Sequence, residues 1–156
     1  MKKLVLILIL MSVAWPSFAA SGASGGESNK ASAFKAAENL ILRAKKLEKK
    51  NKNEKALKLY SKAYDRLKKL YPKDKKNADI LNYMGFTLRK VGNFEEAEKF
   101  YLEGIKIDPD HKGLNEYLGE LYIQTNRIEL AKERLEVLKI CKCEEYDELK
   151  ELIEKN

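Results

Sequence analysis

A repeat with a period of 34 residues is the feature of this sequence that most restricts its fold. The stretch "NYMGFTLRKVGNFEEAEKFY" (82–101) aligns with "EYLGELYIQTNRIELAKERL" (116–135), so that Gly85 falls on Gly119 and one alanine falls on another. A unit of this length cannot bury its apolar face alone, whereas stacked copies bury a continuous core. The sequence therefore predicts a stack of similar units.

Each unit reads as two helices joined by a tight turn. Asn51, Gly92 and Asn126 stand at the same place in three units, and Gly and Asn are the residues that end helices in the left-handed backbone conformation. No stretch alternates as a strand does. The segment 71–77 is extra after the first unit, and Pro72 predicts that the preceding helix ends near Leu70. The three units are 37–70, 78–111 and 112–145.

Small residues recur twelve positions apart in every unit. We expect each couple to face across the contact between the two helices of a hairpin, because a glycine inside a helix costs about 1 kcal/mol relative to alanine and close packing must offset that cost. The couples are Ala44 with Ala56, Gly85 with Ala97, and Gly119 with Ala131.

A further helix is predicted after the last unit, over about 144–155. Tyr146, Leu149, Leu152 and Ile153 form one apolar stripe there, as expected of a helix that caps a stack of repeats. Between the second and third units, Asp110 is the expected N-cap of the next helix.

The start of the chain has the layout of a secretory signal peptide. Two lysines precede the apolar run "LVLILILMSVAW", and small residues predict cleavage near Ala19 and Ala20. An uncleaved anchor is the alternative, but a spanning helix needs about 20 apolar residues. We therefore expect residues 1–19 to be a signal peptide, a periplasmic or secreted product, and no stable membrane insertion after cleavage. Residues 20–33 are small and polar and read as a flexible linker to a domain over 34–156.

The formal net charge of +7 raises the possibility of a nucleic-acid or membrane partner. The lysines are interleaved with glutamates, as in "KKLEKKNKNEK", which is typical of solvated helix faces. Since export also separates the chain from nucleic acid, we expect no nucleic-acid partner.

No pattern for catalysis or cofactor binding stands out. His111 is the single histidine and has no nucleophile or ligand motif beside it, so the prediction is a protein that is not an enzyme, with no cofactor and no metal site. Cys141 and Cys143 are the two cysteines. Export favours a local disulfide, while free thiols, a link to another chain and capture of a soft metal remain alternatives.

The repeat resembles the tetratricopeptide repeat (TPR) family, whose pattern is W-x2-L-G-x2-Y, then A-x3-F, then P. The middle unit matches this pattern at seven positions: Leu81, Met84, Gly85, Leu88, Ala97, Tyr101 and Pro109. The resemblance implies an all-α fold, a right-handed superhelical stack of three TPR helix-turn-helix units plus a C-terminal capping helix. The size, the signal and the ending "CEEYDELK" also resemble small exported TPR proteins of Gram-negative bacteria.

The first helices of such repeats line a concave groove, which is the candidate binding surface. The predicted function is a non-catalytic scaffold that binds another protein or a peptide there through exposed aromatic anchors, with Lys and Arg steering acidic partners. A redox or metal-linked accessory protein using the C-x-C pair and a self-associating structural component are the alternatives. The groove candidates are Ile41, Lys45, Asn82, Tyr83, Phe86, Arg89, Glu116, Tyr117 and Glu120.

Overall fold

The computed structural model describes residues 24–156, and this part of the chain is helical without any strand. The all-α fold class is therefore confirmed. A short 3-10 turn, Tyr71–Lys73, follows the second helix and contains Pro72. The seven α-helices are α1 (Ser24–Glu48), α2 (Asn53–Leu70), α3 (Ala78–Lys90), α4 (Phe94–Ile107), α5 (Lys112–Gln124), α6 (Ile128–Leu138) and α7 (Glu144–Glu154).

The helices pair as α1–α2, α3–α4 and α5–α6, and α7 packs against α5 and α6. The turn inside each pair has the predicted left-handed residue: Asn51 with φ 55°, Gly92 with φ 87° and Asn126 with φ 58°. Helix α2 ends at Leu70, directly before the turn that contains Pro72. None of the helices in the described range 24–156 is long and apolar enough to cross a membrane.

The N-cap of α5 is His111, so the prediction for Asp110 is wrong. The Nδ1 atom of His111 accepts a hydrogen bond from the backbone N–H of Leu114 at 3.2 Å. Helix α5 begins at Lys112, and a side chain that caps a helix from the residue before its start belongs to position 111. Asp110 lies one residue too early and is exposed to solvent.

Helix α1 begins at Ser24, so the prediction of a flexible linker over 20–33 is wrong for residues 24–33. The predicted signal peptide, residues 1–19, lies outside the described residues. Helix α1 extends beyond the first repeat because Phe34 continues its apolar stripe and packs against the cluster that contains Ala37 and Leu67. The ring of Phe34 also lies 5.7 Å from the ring of Tyr83.

The small residues of the repeat are buried, but the two glycines do not have the partners we expected. A Cβ atom on Gly85 would lie 2.4 Å from Cε1 of Tyr101, and one on Gly119 would lie 2.6 Å from Cδ2 of Leu149. Each glycine therefore makes room for a large buried side chain, on α4 and α7 respectively, rather than for an alanine across the hairpin. The four alanines of the predicted couples are at most 1% exposed: Ala44, Ala56, Ala97 and Ala131.

Candidate binding groove

The nine groove candidates lie on α1, α3 and α5, the first helices of the three pairs, and the structure brings most of them together. Helix α1 contributes two, α3 four and α5 three. Two cavities lie along this surface, and Glu116 and Tyr117 line both of them.

Five of the nine candidates are not available on the surface, contrary to our expectation. Their exposed fractions are between 2% and 5%: Ile41, Asn82, Phe86, Arg89 and Glu116. Lys45 and Tyr117, for example, reach across from adjacent first helices and contact Phe86. Lys45, Tyr83, Tyr117 and Glu120 are half-buried, so they are the candidates that a ligand can contact.

The centre of the groove is a cluster of aromatic rings and cationic side chains. The ring centroids of Phe86 and Tyr117 are 4.8 Å apart. The Nζ atom of Lys45 lies 4.8 Å and 5.4 Å from these two centroids and donates a hydrogen bond to the Tyr117 hydroxyl at 3.2 Å. Cation–π contacts of this kind stabilise packed cations. Phe86 is thus a core residue that joins α1, α3 and α5, rather than a free anchor.

Arg89 and Glu120 form an ion pair beside this cluster. One guanidinium nitrogen of Arg89 lies 2.7 Å from Oε2 of Glu120, and the Arg89 side chain is 2% exposed. The guanidinium carbon also lies 5.6 Å from the Phe86 centroid and 5.7 Å from the Tyr117 centroid. The pair therefore ties α3 to α5 inside the groove.

Glu116 is a buried carboxyl group at the boundary between the two cavities. Burial raises its pKa to about 9, and a hydrogen bond with Glu148 and the negative charges of Glu120 and Glu148 act in the same direction, while Lys45 opposes them. Glu116 is consequently protonated at neutral pH. Since Glu148 belongs to α7, this contact joins the capping helix to the groove.

The larger cavity, about 470 Å³, lies between α3 and the start of α5 and is acidic. Its positive side chains are Lys112 and, when protonated, His111. The hydrogen bond between Nε2 of His111 and Asp79, 3.1 Å long, raises the pKa of the histidine and lowers that of the aspartate. The carboxyl groups that line the cavity are Asp79, Asp108, Asp110, Glu116 and Glu145.

Three uncharged side chains complete this cavity. Tyr83 and Tyr117 line it, and burial raises the pKa of both phenols, so they are neutral hydroxyl groups at neutral pH. Asn82 also lines it and is 5% exposed. The Oδ1 atom of Asn82 is buried without a hydrogen-bond partner among the described residues. The cavity therefore offers two tyrosine side chains beside its carboxyl groups.

The cysteine pair lies in the connection from α6 to α7. Cys141 and Cys143 are joined by a disulfide, and Lys142 between them has a positive φ of 47°. Within residues 24–156, no group of three or more His, Cys, Asp or Glu side chains is arranged to hold a metal ion.

Sequence reasoning missed two contributors to the groove. Phe34 covers part of Tyr83 from the beginning of α1, and Glu145 and Glu148 reach the two cavities from α7. The spacing of Phe34, Ala37 and Ile41, three and then four residues apart, is a helical signal that identifies the first of these.

Comparison with known proteins identifies the repeats. Residues 35–110 match the family model described as Tetratricopeptide repeat. A segment of 60 residues is 35% identical to the human Protein O-mannosyl-transferase TMTC3, and it covers 38% of this chain but 7% of that protein. The match is too small a part of that enzyme to extend its activity to this chain.

Two solved structures share the fold. The Yersinia enterocolitica type III secretion chaperone SycD, in complex with a peptide of the translocator YopD, has a TM-score of 0.53 at 18% identity and covers 76% of this chain and 86% of its own. A tetratricopeptide repeat protein from Parabacteroides merdae has a TM-score of 0.55 at 17% identity, over 78% of this chain and 60% of its own. Residues 35–110 thus match the tetratricopeptide repeat family model, and the helix stack has the same fold as these two structures.

Proposed function

We propose that this chain is a non-catalytic binding protein that holds a peptide or an extended segment of a partner protein in its concave groove. The observation that carries the proposal is the open cavity of about 470 Å³ between α3 and α5, which places two neutral tyrosines beside five carboxyl groups. Aromatic faces next to charged groups are typical of peptide-binding anchors. SycD, which shares the fold, was solved with a peptide of YopD.

The ligand that fits this cavity best carries a Lys or Arg side chain. Four carboxylates and the neutral carboxyl of Glu116 surround the space. A cationic side chain stacked against Tyr83 or Tyr117 gains both charge and cation–π attraction. This reverses our expectation from the sequence that lysines and arginines of the groove steer an acidic partner.

The basic side chains of the groove lie at its other end. The smaller cavity, about 220 Å³, is lined by Lys45, Lys49, Arg89 and Lys90 together with four glutamates. A peptide with a basic residue over the larger cavity and a polar or acidic one over the smaller cavity is therefore complementary along the whole groove.

Crosslinking from the cavity tests this function. A photoreactive residue at the exposed position Lys112 should capture a partner in intact cells, and mass spectrometry should locate the link on a segment containing Lys or Arg. The variant Asp110→Lys with Glu145→Lys should lose the product, because it replaces two carboxylates of the cavity. The control Glu129→Lys with Glu133→Lys changes the net charge equally on α6, outside the cavity lining, and should retain it. Equal capture by the two variants would contradict the proposal.

We also propose that the protein is exported by a Gram-negative bacterium and acts in the periplasm or outside the cell. The basic start, the apolar run and the small residues before Ala20 support this location. Cell fractionation with determination of the mature N-terminus should find a product that begins near Ala20. Intact Met1 on a cytoplasmic protein would contradict it, without bearing on the groove.

A further inference from the structure

Positive and negative charges are unevenly distributed along the stack, which the net charge of +7 does not reveal. Residues 24–77 contain 17 Lys and Arg against 6 Asp and Glu, whereas residues 78–156 contain 12 against 18. The first helix pair is therefore strongly basic and the remainder of the stack is acidic. Such asymmetry produces a field that orients charged partners over distances of about 10 Å at moderate salt.

The basic charge is concentrated on a groove between α1 and α2. This cavity, about 540 Å³, is lined by residues of these two helices alone. Its floor is Leu40 and Leu59, and its acidic lining residue is Asp65. Within the described residues, no ion pair involves its four basic side chains. These four are Arg43, Lys62, Arg66 and Lys69.

The groove lies at the N-terminal end of the stack. Helix α3 packs on the other side of the first pair, where Ala37 and Leu67 meet Ile80 and Met84. The face with Leu40 and Leu59 is the one that a preceding repeat would cover in a longer array, and no other described helix lines it. Among residues 24–156 it is therefore an end face of the stack, with an apolar floor and a basic rim.

The opposite end of the same chain carries the complementary charge. Helix α7 caps the stack through Leu149, which packs on Gly119. Its exposed side has acids spaced by three, four and three residues, of which the last two pair with neighbouring lysines of the same segment: Glu144, Asp147, Glu151 and Glu154. This spacing places them in one stripe along the helix, about 15 Å long at 1.5 Å per residue. On α2, Lys58, Lys62, Arg66 and Lys69 form a basic stripe of about the same length.

We propose that the basic groove between α1 and α2 binds the acidic face of α7 of a second copy, so that the protein associates head to tail. The contact joins two different surfaces, so it leaves a free groove and a free α7 at the ends of each assembly and can continue into longer chains or close into a ring. It uses neither cavity of the concave groove, and the proposed peptide binding can fail or succeed independently of it.

Sedimentation velocity of the purified protein over a concentration series tests the contact. At low salt the average mass should rise with concentration, and at a salt concentration of about 0.5 M it should return to that of the monomer. The groove variant Lys62→Glu with Arg66→Glu and the α7 variant Glu151→Lys with Glu154→Lys should each weaken association by about tenfold or more. All four side chains are exposed, and circular dichroism should show unchanged helix content.

Mixing the two variants gives the most specific result. Each variant alone lacks one half of the contact, but the groove variant keeps a native α7 and the α7 variant keeps a native groove. An equimolar mixture should therefore recover association, because a native α7 and a native groove are both present. The control Lys50→Glu with Lys52→Glu, in the turn after α1 and with the same change in net charge as the groove variant, should associate like the native protein.

Three results would overturn the proposal. A native protein that stays monomeric at low salt, a mixture that stays monomeric, or a control variant that loses association as the groove variant does would each exclude this contact. If the monomeric protein instead binds phosphatidylglycerol vesicles, and Lys62→Glu with Arg66→Glu abolishes that binding, the groove is a site for an anionic membrane surface and not for a second copy.

Discussion

Gly119 on α5 lies against Leu149 on α7, and this contact fixes the capping helix to the last repeat. A Cβ atom on Gly119 would be 2.6 Å from Cδ2 and 2.7 Å from Cδ1 of Leu149, which is closer than packed carbon atoms approach. Leu149 is fully buried. The leucine therefore has little freedom to move away without displacing α7.

Gly119→Ala should destabilise the protein by about 1–3 kcal/mol, because overpacking outweighs the gain in helix propensity. The free energy of unfolding in urea measures this effect. Gly26→Ala is the matched control, since no atom lies within 4 Å of a Cβ at Gly26, and it should leave stability unchanged or slightly higher. An equally stable Gly119→Ala protein would show that α7 is not held by this contact.

The repeat period and the turn residues predicted most of this fold. A left-handed residue at Asn51, Gly92 and Asn126 and the end of α2 at Leu70 follow from local backbone chemistry. The partners of Gly85 and Gly119 could not be predicted in the same way. A glycine indicates a close approach, but whether an alanine, a tyrosine or a leucine approaches depends on how the helices pack.

The groove was predicted in position but not in exposure. The positions of Phe86 and Arg89 on the first helix of a repeat place them in the groove, whereas their burial depends on Lys45 and Tyr117 reaching across from neighbouring helices. Side chains this long can cover a neighbour or extend into solvent, and the sequence does not distinguish the two. By contrast, the excess of basic residues over 24–77 and of acidic residues over 78–156 can be counted directly in the sequence.

The N-cap of α5 gives a prediction that distinguishes the role of His111 from that of Asp110. His111→Ala should cost about 1 kcal/mol, because it removes the acceptor for the N–H of Leu114. Asp110→Ala should leave the free energy of unfolding nearly unchanged, since Asp110 is exposed and does not cap the helix. His111→Asn, which restores an N-cap acceptor, should recover most of the loss. The opposite ranking of the two alanine variants would assign the cap to Asp110.

The ion pair between Arg89 and Glu120 inside the groove should contribute more to the free energy of unfolding than an ion pair on the surface. Glu120→Ala leaves the guanidinium of Arg89, whose side chain is 2% exposed, without its carboxylate, and such a loss costs about 3 kcal/mol or more. Lys99→Ala breaks the exposed pairs with Glu95 and Glu96 and should cost much less, because water screens them. Thermal unfolding of both variants tests the difference. Similar costs would mean that water or another group replaces Glu120 beside Arg89.

Glu116 should make the protein less stable as the pH rises. Burial holds the pKa of this carboxyl group at about 9 in the folded protein, whereas the pKa of an unfolded glutamate is about 4.5. The free energy of unfolding therefore falls between these two values as the pH increases. In Glu116→Gln this contribution disappears. The variant should gain stability relative to the parent between about pH 5 and pH 8, as measured in urea, and a constant difference would contradict the raised pKa.

The disulfide between Cys141 and Cys143 should stabilise one corner and not the whole stack. Because the bridge closes a ring across a single residue, it restricts the unfolded chain little, and its removal should cost less than about 2 kcal/mol. Reduction, or Cys141→Ser with Cys143→Ser, should accelerate hydrogen exchange in α7 and in the connection from α6, while α1 to α4 keep their protection.

Lys142, held between the cysteines at a positive φ, should relax first, because a lysine rarely adopts that conformation without constraint. Faster exchange throughout the three helix pairs would instead show that the bridge stabilises the whole stack, and mass spectrometry of unreduced protein establishes that the bond is present.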